Sequence, residues 1–183
     1  MISRRSFIKG AFAALGACHL GGVFSGRWSA ASADEEPSGD KVLSLHNIHT
    51  NERLRTQYCS GGCYDEKAID QISYVLRCHY SNTVKPINLK VIDLLCAVKD
   101  RLAPEEEITV ISGYRSPEYN AYLRSLGRRV AAGSLHMAGL AIDFAINGIA
   151  MGELYRTAKA FAAGGVGKYP EFVHIDVGRV RYW

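Results

Sequence analysis

The stretch SLHMAGLAID, residues 134–143, carries a histidine and an aspartate in a run that is otherwise small and apolar. His136 and Asp143 are seven positions apart, and His174 lies in a second apolar run, EFVHIDVG, near the end of the chain. A catalytic zinc ion takes three ligands from histidine and carboxylate side chains and keeps a fourth position open to water. The three residues are therefore a candidate metal set. The alternative is a buried histidine and a buried aspartate that are simply satisfied by hydrogen bonds.

Arg115 is a candidate for binding an anion beside such a metal. It directly precedes the run SPEYNAYLRSLG, in which Ser116 is a typical helix N-cap and Pro117 a typical first helical residue. The helix dipole makes a cation at this end unfavourable by about 0.3–1 kcal/mol, and a bound anion would offset that cost. A solvated loop arginine is the alternative. In a hydrolytic site, Arg115 would stabilise a developing oxyanion while zinc polarises the carbonyl.

Two predicted strands must position the metal set. In LAIDFAI, residues 140–146, the apolar residues alternate, which predicts a strand with Asp143 on the opposite face, among alanines. The run EFVHIDVGRVRYW, residues 171–183, predicts a closing strand in which His174 lies on one face. The metal set can form only if these two strands are neighbours in one sheet.

The rest of the chain predicts further strands and helices. A strand pattern covers residues 41–49, and a second one begins at residue 107. Helical patterns cover residues 65–77, the segment from Asn88 to Pro104, the segment from Pro117, and residues 151–163, the last stopped by Gly164 and Gly165. Together these elements predict an α+β domain with an antiparallel or mixed sheet and helices packed mainly on one face.

Residues 1–33 predict an export signal. Arg4 and Arg5 precede a mildly hydrophobic Gly/Ala-rich run, a pattern that resembles the twin-arginine signal of bacteria. The run is too short and too interrupted for a membrane span, which needs about 20 strongly apolar residues. We expect cleavage after Ala33, and a lipid anchor at Cys18 is the alternative.

After cleavage we expect a linker over residues 34–40 and one domain over residues 41–183, in the periplasm or cell envelope. The formal net charge of +4 includes several cations of the signal, so the mature chain is close to neutral. Electrostatics therefore gives no support to a nucleic-acid partner.

Four cysteines remain after processing: Cys59, Cys63, Cys78 and Cys96. Their spacing is not that of a zinc ribbon or an iron–sulfur protein. In an exported chain the Gly-rich CSGGC could close a small disulfide loop, whereas Cys78 and Cys96 lie in apolar helical patterns typical of buried thiols. The pairing stays open.

The segments SGYRSPEYN, SLHMAGLAIDF and EFVHIDVG resemble successive motifs of the zinc D-Ala-D-Ala carboxypeptidase and dipeptidase family, in particular its exported YcbK-like branch. The similarity extends over the whole mature chain. The resemblance implies a Hedgehog/DD-peptidase fold, one zinc ion per chain on His136, Asp143 and His174, and Arg115 as the residue that orients the substrate. The branch is associated with hydrolysis of peptide cross-links in bacterial peptidoglycan.

The general base has two candidates. Glu171, three positions before His174, matches the spacing of the wider family, but residues three apart face opposite ways in a regular strand. Pro170 can keep Glu171 outside the strand. Asp176 shares a face with His174, so it could be the base or could orient the ring of His174. We favour Glu171 and keep Asp176 as the alternative.

The sequence therefore predicts a monomeric, exported zinc metallopeptidase that cuts amide bonds in peptidoglycan stem peptides or cross-links. Ser134 and Tyr114 are expected to line its substrate cleft, or else only to shape turns. The alternative function is a non-catalytic, zinc-containing module of the same fold that binds cell-wall peptides.

Overall fold

The computed structural model describes residues 39–128 and 130–183 of the 183-residue chain. The predicted export signal over residues 1–33, the alternative anchor at Cys18 and most of the linker over 34–40 lie outside the described residues. Within the described part, no helix is both long enough and apolar enough to cross a membrane.

Eight strands form one mixed sheet. They are β1 Lys41–Asn47, β2 Glu52–Ser60, β3 Cys63–Tyr64, β4 Ile108–Ser112, β5 Ala141–Ile146, β6 Gly165–Lys168, β7 Val173–Asp176 and β8 Arg181–Tyr182. Their order in the sheet is β3-β2-β1-β4-β5-β7-β6-β8. The β1–β4 and β6–β8 pairs are parallel and the other pairs are antiparallel. The predicted α+β class with a mixed sheet is confirmed.

Four α-helices accompany the sheet: α1 Glu66–Val75, α2 Leu89–Leu102, α3 Pro117–Ser125 and α4 Met151–Ala160. The predicted starts of α2 and α3 are confirmed, since the side chain of Asn88 accepts a hydrogen bond from the backbone N–H of Lys90 and that of Ser116 from Tyr119. Such caps satisfy backbone donors that a helix leaves free at its first turn.

Helices α2 and α4 contact each other and the central strands β5 and β7. Ile92 and Leu95 of α2, Leu154 of α4 and Phe144 of β5 are fully buried in this core. Burial of large side chains of this kind stabilises a fold by about 1.5–3 kcal/mol each. In contrast, Asn120 is the one residue of α3 that is buried. The core therefore fixes β5 and β7, while α3 lies at the surface.

Two predicted boundaries were wrong near the end of the chain. Helix α4 ends at Ala160, and Gly165 belongs to β6 rather than to a helix stop. A Cβ atom on Gly164 would lie 1.9 Å from the backbone oxygen of Asp176, so this glycine serves the close approach of the chain to β7. The predicted closing strand over residues 171–183 is two strands, β7 and β8, which pair with β6 on opposite edges.

All four cysteines of the described residues are free thiols, and Cys63 is the exposed one. The CSGGC segment forms the β2–β3 hairpin, in which Cys59 lies opposite Tyr64 and Ser60 opposite Cys63. Side chains alternate along a strand, so Cys59 and Cys63 face opposite sides of the hairpin. This geometry does not close the small disulfide loop that the sequence allowed.

Candidate metal centre and substrate cleft

Strands β5 and β7 are antiparallel neighbours, and their register places Asp143 directly opposite His174. The prediction that the two strands pair is therefore confirmed. His136 comes from a short 3-10 helix, Leu135–Ala138, that ends at Gly139 just before β5. Gly139 has a φ angle of +69°, and a Cβ atom there would lie 2.6 Å from the backbone oxygen of Pro86. Glycine thus allows the turn that returns the chain from His136 to β5.

The three predicted ligand side chains are buried and converge. Asp143 Oδ1 lies 2.7 Å from His174 Nδ1 and 3.2 Å from His136 Nε2, and the two imidazole nitrogens are 3.2 Å apart. Ligand atoms around a tetrahedral zinc ion are about 3.3 Å apart, given zinc–ligand distances of about 2.0–2.1 Å. Two nitrogens and one carboxylate oxygen at this spacing fit a zinc ion with only small outward shifts.

The outer nitrogen of each imidazole also has a partner. His136 Nδ1 lies 2.8 Å from the backbone oxygen of Gly113, and His174 Nε2 lies 3.1 Å from Asp176 Oδ2. Because the carbonyl and the carboxylate can only accept, these outer nitrogens carry the protons. The inner nitrogens, His136 Nε2 and His174 Nδ1, can then present their lone pairs to a cation that replaces the proton shared with Asp143. Histidines that bind metals are usually oriented in this way.

The electrostatics of the cluster favour a carboxylate beside two imidazoles. Burial raises the pKa of Asp143, but the charge and hydrogen bonds of His136 and His174 outweigh it, and the pKa is held well below its ordinary value. Burial lowers the pKa of His174, yet hydrogen bonds to Asp143 and Asp176 outweigh that effect and raise it. Since a metal binds the deprotonated imidazole, a proton and a cation compete for His174.

Arg115 lies beside the cluster and is 8% exposed, which excludes the solvated loop arginine. Its Nη2 atom is 3.6 Å from Asp143 Oδ2 and 3.3 Å from Ser112 Oγ. Its Nε atom is buried and has no hydrogen-bond partner among the described residues. A buried guanidinium with a spare donor can bind a further anion.

A cleft of about 560 Å³ opens over the cluster. Its lining includes three arginines, three aromatic residues and the ligand set: Arg115, Arg128, Arg181, Tyr169, Phe172, Trp183, His136, Asp143 and His174. Asp143 is the one acidic residue in the described lining. Such a cleft suits a substrate that carries carboxylates and has an extended chain.

Of the two residues predicted to line the cleft, Ser134 and Tyr114, one does so in the structure. Ser134 lines the cleft. Tyr114 does not: it is buried, and Lys85 Nζ lies over its ring at 5.7 Å from the centroid. The backbone N–H of Tyr114 donates to the backbone oxygen of Leu76, which ties this residue to the end of α1 rather than to the cleft.

The two predicted bases also have different surroundings. Asp176 is fully buried, and its oxygens accept hydrogen bonds from His174, from Arg181 and from the backbone N–H groups of Gly165 and Gly178. Glu171 is exposed, lies before β7 as Pro170 suggested, and forms no hydrogen bond with a described residue. Its neighbours Tyr169 and Phe172 line the cleft, whereas Glu171 itself does not.

Arg128, Arg181 and Trp183 also line the cleft, and no sequence pattern predicted them. The ring of Trp183 lies 5.3 Å from that of His174, centroid to centroid. A Cβ atom on Gly167 would lie 2.5 Å from this ring, so glycine leaves the room that the Trp183 side chain occupies. The Gly-rich run before β7 was therefore the sequence feature that could have indicated a bulky side chain packed against it.

Residues 35–183 match the M15 peptidase family model described as peptidoglycan L,D-endopeptidase MepK. The chain belongs to this family. It is 37% identical over 145 residues to the peptidoglycan L,D-endopeptidase MepK of Escherichia coli K12, an alignment that covers 78% of this chain and 80% of the relative. The probable peptidoglycan L,D-endopeptidase MepK of Haemophilus influenzae is 34% identical over 146 residues, with 78% of each chain covered. No solved structure gives a significant match.

The family membership confirms the resemblance drawn from the three motifs. The matched segment runs from residue 35 to residue 183, so it contains all the elements that form the cluster and the cleft.

Proposed function

We propose that this protein is an exported zinc metallopeptidase that hydrolyses amide bonds in the cross-links or stem peptides of peptidoglycan. The observation that carries the proposal is the convergence of His136, Asp143 and His174 at the floor of a cationic cleft. The relatives that bear the name peptidoglycan L,D-endopeptidase support the substrate class. The Hedgehog/DD-peptidase fold and the twin-arginine export route belong to this proposal.

Zinc would be held by His136 Nε2, His174 Nδ1 and Asp143. When bound, zinc supplies Lewis acidity, which polarises the amide carbonyl and makes water a stronger nucleophile. One aspartate and two neutral imidazoles leave a net positive charge on such a centre, which suits an anionic or polarised substrate group.

The guanidinium of Arg115 is proposed to bind a carboxylate of the substrate or the oxyanion that develops on the attacked carbonyl. Arg115 lines the cleft, and the fork of a guanidinium can bind two oxygens at once. Because Arg115 is buried, its field acts in a low-dielectric environment and loses little strength to water.

Glu171 is proposed as the acceptor of the proton from the attacking water. It is a free carboxylate between two residues of the cleft wall, and a change of its rotamer and of the Tyr169–Phe172 turn would be needed to bring it over the cluster. Asp176 is proposed as a positioning residue instead, because its oxygens already accept hydrogen bonds from four groups. It holds the Nε2–H of His174 and thereby keeps Nδ1 directed at the cluster.

The test is to incubate purified protein, loaded with one zinc ion per chain, with cross-linked muropeptides and to identify the products by mass spectrometry. We expect a gain of one water and a new amine at a single type of amide bond. Asp143→Ala and removal of zinc by a chelator should both abolish the reaction. Muropeptides that bind the zinc-loaded protein but stay intact would instead support the non-catalytic binding module.

A further inference from the structure

Three tyrosines, two of them exposed, form a group that the proposed reaction does not use. Tyr80 lies in the loop after α1, and Tyr119 and Tyr122 lie three positions apart on α3. Tyr80 is 55% exposed and Tyr122 is 44% exposed. We call these three residues the tyrosine face. Tyr119 is half-buried against the edge of the core, whereas Tyr80 and Tyr122 are not part of it.

The rings of the tyrosine face are nearly parallel. Tyr80 stacks on Tyr119 at 4.9 Å and 14°, and on Tyr122 at 5.4 Å and 20°. The rings of Tyr119 and Tyr122 are inclined by 24°. None of the three hydroxyl groups forms a hydrogen bond with another described residue. Tyr80 is thus stacked on both tyrosines of α3, and the three rings form one partly exposed, uncharged aromatic group with free hydroxyl groups near it.

This surface adjoins the substrate cleft. Helix α3 begins directly after Arg115, and the ring of Tyr119 also contacts that of His79 edge-on, at 4.9 Å between centroids. The side chain of Asn120, next to Tyr119 on α3, donates to the backbone oxygen of Ala131 at 3.1 Å. Ala131 lines the cleft, so α3 and the tyrosine face lie beside that wall of it.

We propose that the tyrosine face binds sugar rings of the glycan strand to which the substrate peptides are attached. The inference rests on the proposed function, because it assumes a peptidoglycan substrate. The C–H groups on one face of a pyranose ring are weakly positive and pack well on the negative face of an aromatic ring. The free tyrosine hydroxyls could hydrogen-bond the sugar hydroxyl and acetamido groups.

The size of the tyrosine face argues for a sugar rather than for a folded partner. A tyrosine side chain can bury about 150–250 Å². Three partly covered tyrosines therefore offer far less than the roughly 800 Å² per partner of a stable protein–protein interface. A surface of this size matches one or two sugar rings. Held there, a glycan strand would keep its peptides near the cleft at a high effective concentration.

The direct test measures binding of peptide-free glycan strands to the zinc-loaded protein. The double variant Tyr80→Ala/Tyr122→Ala should bind about ten-fold more weakly than the wild type, as expected for the loss of two stacked rings. The double variant Tyr80→Phe/Tyr122→Phe should retain most of the binding. Tyr74→Ala is the matched control, since Tyr74 is 49% exposed and its ring contacts Arg77 instead. Equal binding by the wild type and the double alanine variant would overturn the inference.

A second measurement compares hydrolysis of intact peptidoglycan with hydrolysis of a soluble, glycan-free, cross-linked peptide. The double alanine variant should show a several-fold higher KM on intact peptidoglycan and an unchanged kcat/KM on the peptide. Equal losses on both substrates would overturn the glycan role. A wild type that elutes as a dimer from gel filtration and a double alanine variant that elutes as a monomer would also overturn it, because the tyrosine face would then be a contact between two copies. A wild type that cuts neither substrate would contradict the proposed function, and the binding of glycan strands would still decide the inference.

Discussion

Asp176 accepts a hydrogen bond from Nε2 of His174 across 3.1 Å, while the other ring nitrogen of His174 faces Asp143 at 2.7 Å. This pairing fixes the rotation of the imidazole about its bond to the chain. Asp176 itself is held by Arg181 Nη2 at 2.7 Å and by the backbone N–H of Gly165 at 3.0 Å. The position of the ring thus depends on a carboxylate that does not face the cleft.

Asp176→Asn should therefore weaken zinc binding rather than remove a proton acceptor. Loss of a carboxylate partner of a metal-binding histidine typically costs about 10–100-fold in affinity. We expect that decrease in zinc affinity, measured by competition with a chelator, and a recovery of most of the activity when zinc is added in excess. Asp70→Asn, at an exposed position of α1, is the control. Unchanged zinc affinity with abolished activity would assign Asp176 as the base.

Glu171→Gln should show the opposite pattern. If Glu171 accepts the proton of the attacking water, its loss lowers kcat by about 10²–10⁴-fold, the usual contribution of a general base. Zinc affinity should not change, because Glu171 contacts no residue of the cluster in this structure. The measurement pairs steady-state kinetics on a cross-linked peptide with zinc content. A decrease of less than about ten-fold would exclude Glu171 from proton transfer.

Arg115→Lys tests whether the guanidinium fork matters beyond its charge. Lysine keeps the positive charge but presents a single ammonium group, so it cannot bind two oxygens in a fixed plane. We expect kcat/KM to fall by about 10²–10³-fold, as for the loss of an oxyanion donor. Arg156→Lys, at an exposed position of α4, should leave kcat/KM unchanged. Similar kcat/KM values for the wild type and Arg115→Lys would show that charge alone suffices.

Local signals in the sequence predicted the parts of the site that depend on short-range structure. Asn88 and Ser116 cap their helices through bonds to residues two or three positions away, so both starts could be read from residue type. The alternation in residues 140–146 predicted the face on which Asp143 lies. The pairing of β5 with β7 was inferred from the candidate metal set, which can form only if the two strands are neighbours.

The errors come from contacts between distant segments. Tyr114 was expected in the cleft, but Gly113 before it packs on Leu76, where a Cβ atom would lie 2.3 Å from the backbone oxygen. That contact turns Tyr114 away from the cleft. Gly164 was predicted to stop a helix, but it allows the chain to pass close to the backbone of β7. The position of Trp183 in the cleft wall depends on the pairing of β6 with β8. No local pattern encodes these pairings.

Glu52 and Arg77 form an ion pair that should be visible in the pH dependence of stability. The carboxylate accepts from Arg77 Nη1 at 2.6 Å and Nη2 at 3.1 Å, and these bonds, opposed by burial, hold the pKa of Glu52 below its ordinary value of 4.5. The stabilisation is therefore present above pH 4.5 and is lost as the pH falls through the lower pKa of the folded state.

At pH 7, Glu52→Gln should reduce the free energy of unfolding by about 1–2 kcal/mol in urea titrations. The deficit should shrink in acid, whereas Glu105→Gln, which breaks an exposed pair with Arg55, should cost less than about 0.5 kcal/mol. A deficit that is the same at pH 3 and pH 7 would mean that the loss does not come from the charge of Glu52.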